Sequence, residues 1–239
     1  MRMPDSIVCE TSTASHGNMD LRFGNPQEVI ESRTKFLDSF GIAYEDHIPM
    51  FCDHGDIINI VSSFHPGVGA RSLEDQIRSE VLVTQEKGLA LMLFTADCQG
   101  TSFYDPVTQT IALAHISRKT LCDGLPQKTL EFLKEELCVE RENLIVHVGP
   151  SIQKESYAFP LPLETVHPVL LPYTQERDGN AYIDLPGAHR AELLRLGIQE
   201  ENIMISNDDT ASPNYFSYYK AMRAGAKDPG RMANILMMR

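Results

Sequence analysis

The sequence predicts a single α+β (mixed α/β) domain spanning residues 1–239. Three observations lead there. The chain is 239 residues long with 42% apolar and 23% charged residues, an ordinary globular composition and enough chain to bury a full core. Apolar runs of both strand and helix type occur. They mix without strict alternation, and no internal repeat, low-complexity tract or Gly/Ser linker divides them, which disfavours a regular barrel.

The elements follow in order. Ser6 to Cys9 reads as a first strand. Pro26 opens a helix through Phe40, because its missing N–H has no intrahelical partner in a first turn. Val29, Phe36 and Phe40 share one face of it with Ile30 and Leu37 beside them, and Gly41 is placed to stop it. Strand-like runs come next at Ile57 to Val61, Val81 to Thr84, Leu89 to Phe94 and Thr110 to Ala114. Tyr104-Asp105-Pro106 separates the last two as a turn signal. A second helix opens at Pro126, with Leu130, Leu133 and Leu137 at i, i+3 and i+7. Leu144 to Val148 is a strand, Ala188 to Leu196 a helix ending at Gly197, and Ala233 to Met238 a closing apolar run.

The formal net charge of -12 argues against nucleic acid or an anionic membrane as the main partner. No run approaches the roughly 20 apolar residues that span a bilayer. Met1-Arg2-Met3-Pro4-Asp5 lacks the apolar stretch of a signal peptide. Five scattered cysteines (Cys9, Cys52, Cys98, Cys122, Cys138) read as reduced thiols of a cytoplasmic protein. Nothing in the sequence sets an oligomeric state. Gly67-Val68-Gly69 lacks the third glycine and the following helix of a dinucleotide fingerprint.

The chemistry concentrates where two buried strands end. Thr95-Ala96-Asp97-Cys98 closes the run Leu89 to Phe94, and 17 residues after Cys98 the run Thr110 to Ala114 leads into His115. Strands ending on a cysteine and a histidine can bring sulfur and imidazole to one sheet edge. His54, in the turn Asp53-His54-Gly55-Asp56, is the candidate third partner. One thiolate and two imidazoles suit Zn²⁺ with an open fourth position, where bound water ionises near neutral pH. The gaps match no compact zinc-finger pattern, and spacing alone favours a buried structural cysteine beside an unrelated histidine. Cys52, two residues from His54, reads as a packed or surface free thiol. The remaining histidines (His16, His47, His65, His147, His167, His189) show no ligand-like spacing and read as solvent-facing or packed.

Several short motifs occur in the order found in one known family. Ala96-Asp97-Cys98 followed by His115 resembles an Ala-Asp-Cys strand end followed by His-Ala-Gly-Trp-Arg-Gly. Residues 18–25, Asn-Met-Asp-Leu-Arg-Phe-Gly-Asn, resemble Asn-Leu-Gly-Leu-x-x-Gly-Asp. Cys52-Asp53-His54-Gly55 stands in the place of Gln-Val-His-Gly, and Val148-Gly149-Pro150-Ser151-Ile152 resembles Ile-Gly-Pro-x-Ile. Phe216-Ser217-Tyr218 and Gly230-Arg231-Met232-Ala233 resemble Phe-Ser-Tyr and Gly-Arg-x-Ala. On these the chain resembles the YfiH-type laccase-domain family, labelled multicopper polyphenol oxidoreductases and later described as purine nucleoside phosphorylases.

The resemblance implies a YfiH-like sandwich, with central mixed β-sheets flanked by helices. It also implies zinc, rather than copper (Cu²⁺), held by His54, Cys98 and His115. The implied partners are a purine nucleoside and phosphate. The implied reactions are phosphorolysis at C1′ and deamination of adenosine at C6, with Asp97, Cys98 and His115 as catalytic residues. Asp97 reads as a proton carrier or orienting group, or equally as a carboxylate capping backbone amides. Asn18 reads as a substrate contact or a local backbone cap, and Arg231 as a phosphate contact or a salt-bridge partner.

Departures from the family pattern surround the pocket. His115-Ile116-Ser117-Arg118-Lys119-Thr120 keeps the histidine and loses the glycines and tryptophan. Lys119 replaces an arginine, so a cation survives without bidentate geometry, and Arg118 compensates. Tyr219-Lys220 stands for Arg-Arg, and Glu155-Ser156-Tyr157 for Cys-Cys-Tyr. Three other functions compete. Copper polyphenol oxidation needs several His-x-His pairs, and the sequence contains none. The others are a metal-free enzyme with Cys98 as nucleophile and His115 as base, and a non-catalytic binding protein that keeps the fold.

Overall fold

The computed structural model describes residues 3–65, 67–160 and 162–239; Met1 and Arg2, part of the N-terminal stretch read above, lie outside them. In chain order the elements are β1 (Ile7–Thr11), α1 (Pro26–Asp38), β2 (His47–Phe51), β3 (Ile58–Ile60), β4 (Ile77–Arg78), β5 (Val81–Thr84), β6 (Ala90–Thr95) and β7 (Gln99–Asp105). Then come β8 (Thr110–Ile116), α2 (Arg118–Cys122), α3 (Leu125–Leu137), β9 (Ile145–Val148), β10 (Ala158–Phe159), β11 (Thr174–Arg177) and β12 (Asn180–Ile183). The chain closes with α4 (Leu185–Arg195), β13 (Ile203–Ile205), α5 (Tyr218–Arg223) and β14 (Met232–Met238).

The strands form three sheets, ordered β1-β14-β6-β2-β4, β13-β9-β7-β8-β5-β3 and β10-β12-β11. The two large sheets are mixed: β6 pairs antiparallel with β14 and parallel with β2, and β5 pairs antiparallel with β8 and parallel with β3. Side-chain alternation sorts the core into layers. Leu91 and Leu93 of β6 join Leu82, Ile111 and Leu113 between the two large sheets. Ala90, Met92 and Phe94 turn the other way and pack with Phe36 and Leu37 of α1. Ala112, Ala114 and Ile116 of β8 meet Leu130 and Leu133 of α3 and Ala188 and Leu193 of α4. The order is helix, sheet, sheet, helices. Two sheets buried on both faces explain why β6 and β8 read as continuous apolar runs.

The helices begin where the sequence marks them. Asn25 accepts the Gln27 N–H ahead of Pro26, and Asp184 accepts the Gly187 N–H ahead of α4. The predicted start of the last long helix, Ala188, falls three residues late because Pro186 occupies its first turn. Tyr104 and Asp105, expected in a turn, end β7; the reversal is made by Pro106 to Gln109, and the Asp105 carboxylate caps its Val107 and Thr108 amides. No helix among the described residues is long and apolar enough to cross a membrane.

A polar node ties the sheets together beside the candidate site. Asn234 of β14 donates to Thr95 Oγ1 at 2.9 Å and accepts from Thr11 Oγ1 at 2.8 Å. Gly100 of β7 packs against that amide so closely that a Cβ would fall on it. Gly149 leaves 3.2 Å to Asn234 Oδ1 on the same reasoning. We expect Gly100→Ala to destabilise the protein by about 1–3 kcal/mol through overpacking, read as a lower urea midpoint at unchanged m-value.

Two buried histidines make a second prediction. Burial pushes His189 down to about 3, and burial with the nearby Arg33 charge pushes His47 down to about 3. Below about pH 6.5 the unfolded chain takes up protons that these folded rings refuse, so stability is lost as the pH falls from about 6.5 to 3. His189 contacts Gln99 Oε1 through Nδ1 at 2.9 Å, a contact an Asn side chain can mimic. Between pH 7 and pH 5, His189→Asn is expected to lose about 2 kcal/mol less than the wild type in urea titrations.

Candidate metal centre

Cys98 and His115 meet through a strand that the sequence reading passed over. β6 belongs to the five-stranded sheet, and Ala96-Asp97-Cys98 crosses from it to β7 in the six-stranded one. β7 then pairs antiparallel with β8, Gly100 opposite His115. The two ends therefore coincide at one edge because β7 and β8 form a hairpin, not because β6 and β8 share a sheet. Asp97 makes the crossing in the left-handed region, at φ 88°.

Glu80 assembles the rest. It precedes β5, where its backbone carbonyl accepts the His115 N–H at 2.8 Å and so extends the β5–β8 ladder. Its side chain, 1% exposed, points into the site with both oxygens used. Oε1 accepts the Asp53 N–H at 2.7 Å and the Gly55 N–H at 3.1 Å. Oε2 lies 2.7 Å from His115 Nδ1. One carboxylate thus orients the His115 ring and folds the 52–55 turn, in which His54 sits at φ 64°. With Nδ1–H donated to Glu80, His115 turns Nε2 outward, the arrangement of a metal-binding imidazole.

His54 is set in the same manner. Its Nδ1 lies 3.1 Å from Ser117 Oγ, its carbonyl accepts Lys119 Nζ at 3.1 Å, and its ring centroid is 5.1 Å from that of His115. Ser117 also caps the short helix α2 by accepting the Thr120 N–H. Burial, reinforced by His115, holds the His54 ring below its usual range and keeps it neutral. Cys98, His54 and His115 line one cavity of about 480 Å³, together with Cys52. Cys52 is buried, and its sulfur, a Glu80 oxygen and a His115 nitrogen lie within 4.8 Å of one another, a group able to hold a metal ion. Burial pushes the Cys52 thiol up, so a cation beside it would have to displace its proton.

The other residues singled out from sequence separate into two groups. Arg118, Lys119 and Arg231 line the cavity. Lys119 is ion-paired to Asp123 at 2.5 Å and Arg231 to Asp228, whereas Arg118 lies over the Phe159 ring at 4.9 Å. Asp97 and Asn18 are absent from the lining. The Asp97 carboxylate accepts from Thr210 Oγ1 at 2.8 Å and from the Tyr219 N–H of α5 at 2.7 Å, and burial raises its pKa. Asn18 accepts the Asp20 and Arg231 N–H groups and donates to the Asp20 carbonyl, clamping the N-terminal segment to the C-terminal one. Arg22, Tyr157 and Tyr218, quoted in sequence motifs but given no role there, also line the cavity, and the orienting Glu80 was not singled out from sequence. A carboxylate abutting the apolar strand Val81 to Thr84 was the one available signal for Glu80.

Comparison with known proteins follows the same lines. Residues 9–239 match the family model described as multi-copper polyphenol oxidoreductase laccase. A curated relative from Deinococcus radiodurans, named purine nucleoside phosphorylase, is 28% identical over 217 residues, covering 90% of this chain and 79% of its own. Among solved structures, YlmD from Geobacillus stearothermophilus superposes with a TM-score of 0.89 at 23% identity, over 98% of this chain and 93% of that one. The YfiH protein of Bacillus licheniformis gives 0.87 at 21% identity, over 98% and 94%.

Replacing Glu80 by Gln leaves an amide oxygen for the Asp53 and Gly55 N–H groups but turns an N–H₂ toward His115 Nδ1, which now donates. Metal affinity is expected to fall about 10–100-fold with little change in far-ultraviolet circular dichroism, measured by competition with a chromophoric chelator.

Proposed function

The chain belongs to the multi-copper polyphenol oxidoreductase laccase family, and on that premise we propose that it is a metal-dependent purine nucleoside phosphorylase. Zinc is the ion we assign, with His54, Cys98 and His115 as its ligands, and adenosine deamination is a second reaction of the same pocket. The observation that carries this reading is one cavity that joins sulfur and imidazole donors to cations and aromatic rings. The names borne by relatives at 24–28% identity support the substrate class. The donor set fits the ion, since two imidazoles are oriented through Nδ1 with Nε2 left over, and thiolate with imidazole suits zinc.

Bound there, the ion would supply Lewis acidity and a water that ionises near neutral pH. The chain's own residues do the rest. Arg118 has no carboxylate partner among the described residues, so its guanidinium is free to take two phosphate oxygens. Arg22 and Arg231 add positive field while remaining paired to Asp20 and Asp228. Burial pushes the Tyr157 phenol up to about 12, so it stays a hydrogen-bond donor, and its ring, with Phe94 and Tyr218, offers a surface for a purine. In phosphorolysis a phosphate oxygen bonds to C1′ as the C1′–N9 bond breaks and the base leaves with that electron pair. In deamination water adds at C6 and ammonia leaves.

A second reading has its own observation. Glu80, His115 and Cys98 form the frame of an orienting carboxylate, a base and a nucleophile, which needs no ion. Metal analysis paired with adenosine and inosine turnover in phosphate buffer separates the readings. The expected result is stoichiometric zinc and turnover of both nucleosides, each lost in Cys98→Ala. Turnover that survives chelation and is abolished by thiol alkylation would establish the cysteine enzyme, and zinc without turnover would leave a binding protein.

A further inference from the structure

Cys52 is the one nucleophilic group of the site that the proposed triad leaves idle. It follows β2 directly and is 7% exposed. Its sulfur lies within 4.8 Å of both a His115 nitrogen and a Glu80 oxygen. Of those three groups, Glu80 already accepts from Asp53 N and Gly55 N and holds His115 Nδ1, so its first task is to position the turn and the ring. His115 has both the Cys52 and the Cys98 sulfur as hydrogen-bonding neighbours, and Cys52 shares its cavity with Cys98 and His54, which lie outside that 4.8 Å group. Two thiols therefore flank one imidazole where a three-ligand site needs only one.

We propose that Cys52 is a fourth protein ligand of the metal, so that this chain holds its ion between two sulfurs and two imidazole nitrogens. The inference rests on the metal reading above and deepens it. Four protein donors of this kind close a tetrahedral shell, whereas a catalytic site keeps one position open. In this chain Cys52 would occupy the position that a catalytic site leaves open. Two thiolates also bias the site further toward soft and borderline ions.

Cobalt(II) reconstitution of the reduced protein reports the number of thiolates directly, through the sulfur-to-cobalt charge-transfer band in the near ultraviolet. The wild-type band is expected to be about twice that of Cys52→Ala or of Cys98→Ala, and to vanish when both are replaced. Azide is expected to perturb the visible bands of Cys52→Ala and leave those of the wild type in place. X-ray absorption on the wild-type zinc protein needs no variant and is expected to count two sulfurs. A count of one sulfur, or a full-strength band in Cys52→Ala beside none in Cys98→Ala, overturns the fourth ligand and leaves the metal reading standing. Absence of any cobalt or zinc binding by the wild type overturns both.

Discussion

The Glu80 carboxylate is the constraint on which the site depends. Two oxygens, buried between strands and turn, hold two backbone amides and one imidazole. A buried carboxylate is costly to leave unsatisfied, so the 52–55 turn and the β8 end are fixed together. His54 and Cys52 belong to one side of that clasp and His115 to the other. His54 and His115, on segments about 60 residues apart, are thus brought to one place by a single carboxylate.

The layers of the fold were legible because they rest on periodicity. The runs 81–84, 89–94, 110–114 and 144–148 and the helices at Pro26 and Pro126 lie within a residue or two of β5, β6, β8, β9, α1 and α3. Elements held by context were not. β7 opens on polar Gln99 and on Gly100, a residue depleted in strands, and is a strand because β8 and β9 flank it and because Gly100 fits under Asn234. β2 carries Pro49, which hid it. At the site, Cys98, His115 and His54 stood out as reactive types at strand ends. Cys52 and Glu80 did not, because their role comes from which neighbours surround them. Asp97 and Asn18 stood out for the same reason as those three, yet their polar atoms are spent on backbone and hydroxyl groups.

Two of the departures from the family pattern bear directly on His54. Ser117, standing where the pattern has glycine, caps α2 and contacts the His54 ring, while Lys119 reaches the His54 carbonyl. Substitutions that looked like losses of pocket residues therefore supply local support to His54. They leave Arg118 as the cation able to meet an anion. The chain keeps the frame of the site and changes what surrounds it, which is where specificity for a substrate is set.

The position of β14 has a consequence for how the molecule is made. β1 meets the five-stranded sheet through β14 alone, in a register that pairs Ile7 with Met238. An emerging polypeptide would carry β1 without its neighbour until residues 232–238 had been synthesised. Closure of that sheet joins the first and last strands over more than 200 residues, a loop whose entropy must be met before the pairing is rewarded. Assembly is therefore late and cooperative, with β1 and the β6 edge bare while the remainder is already folded. Such edges are where nascent chains stick to one another, and a truncation in the last seven residues would expose them permanently.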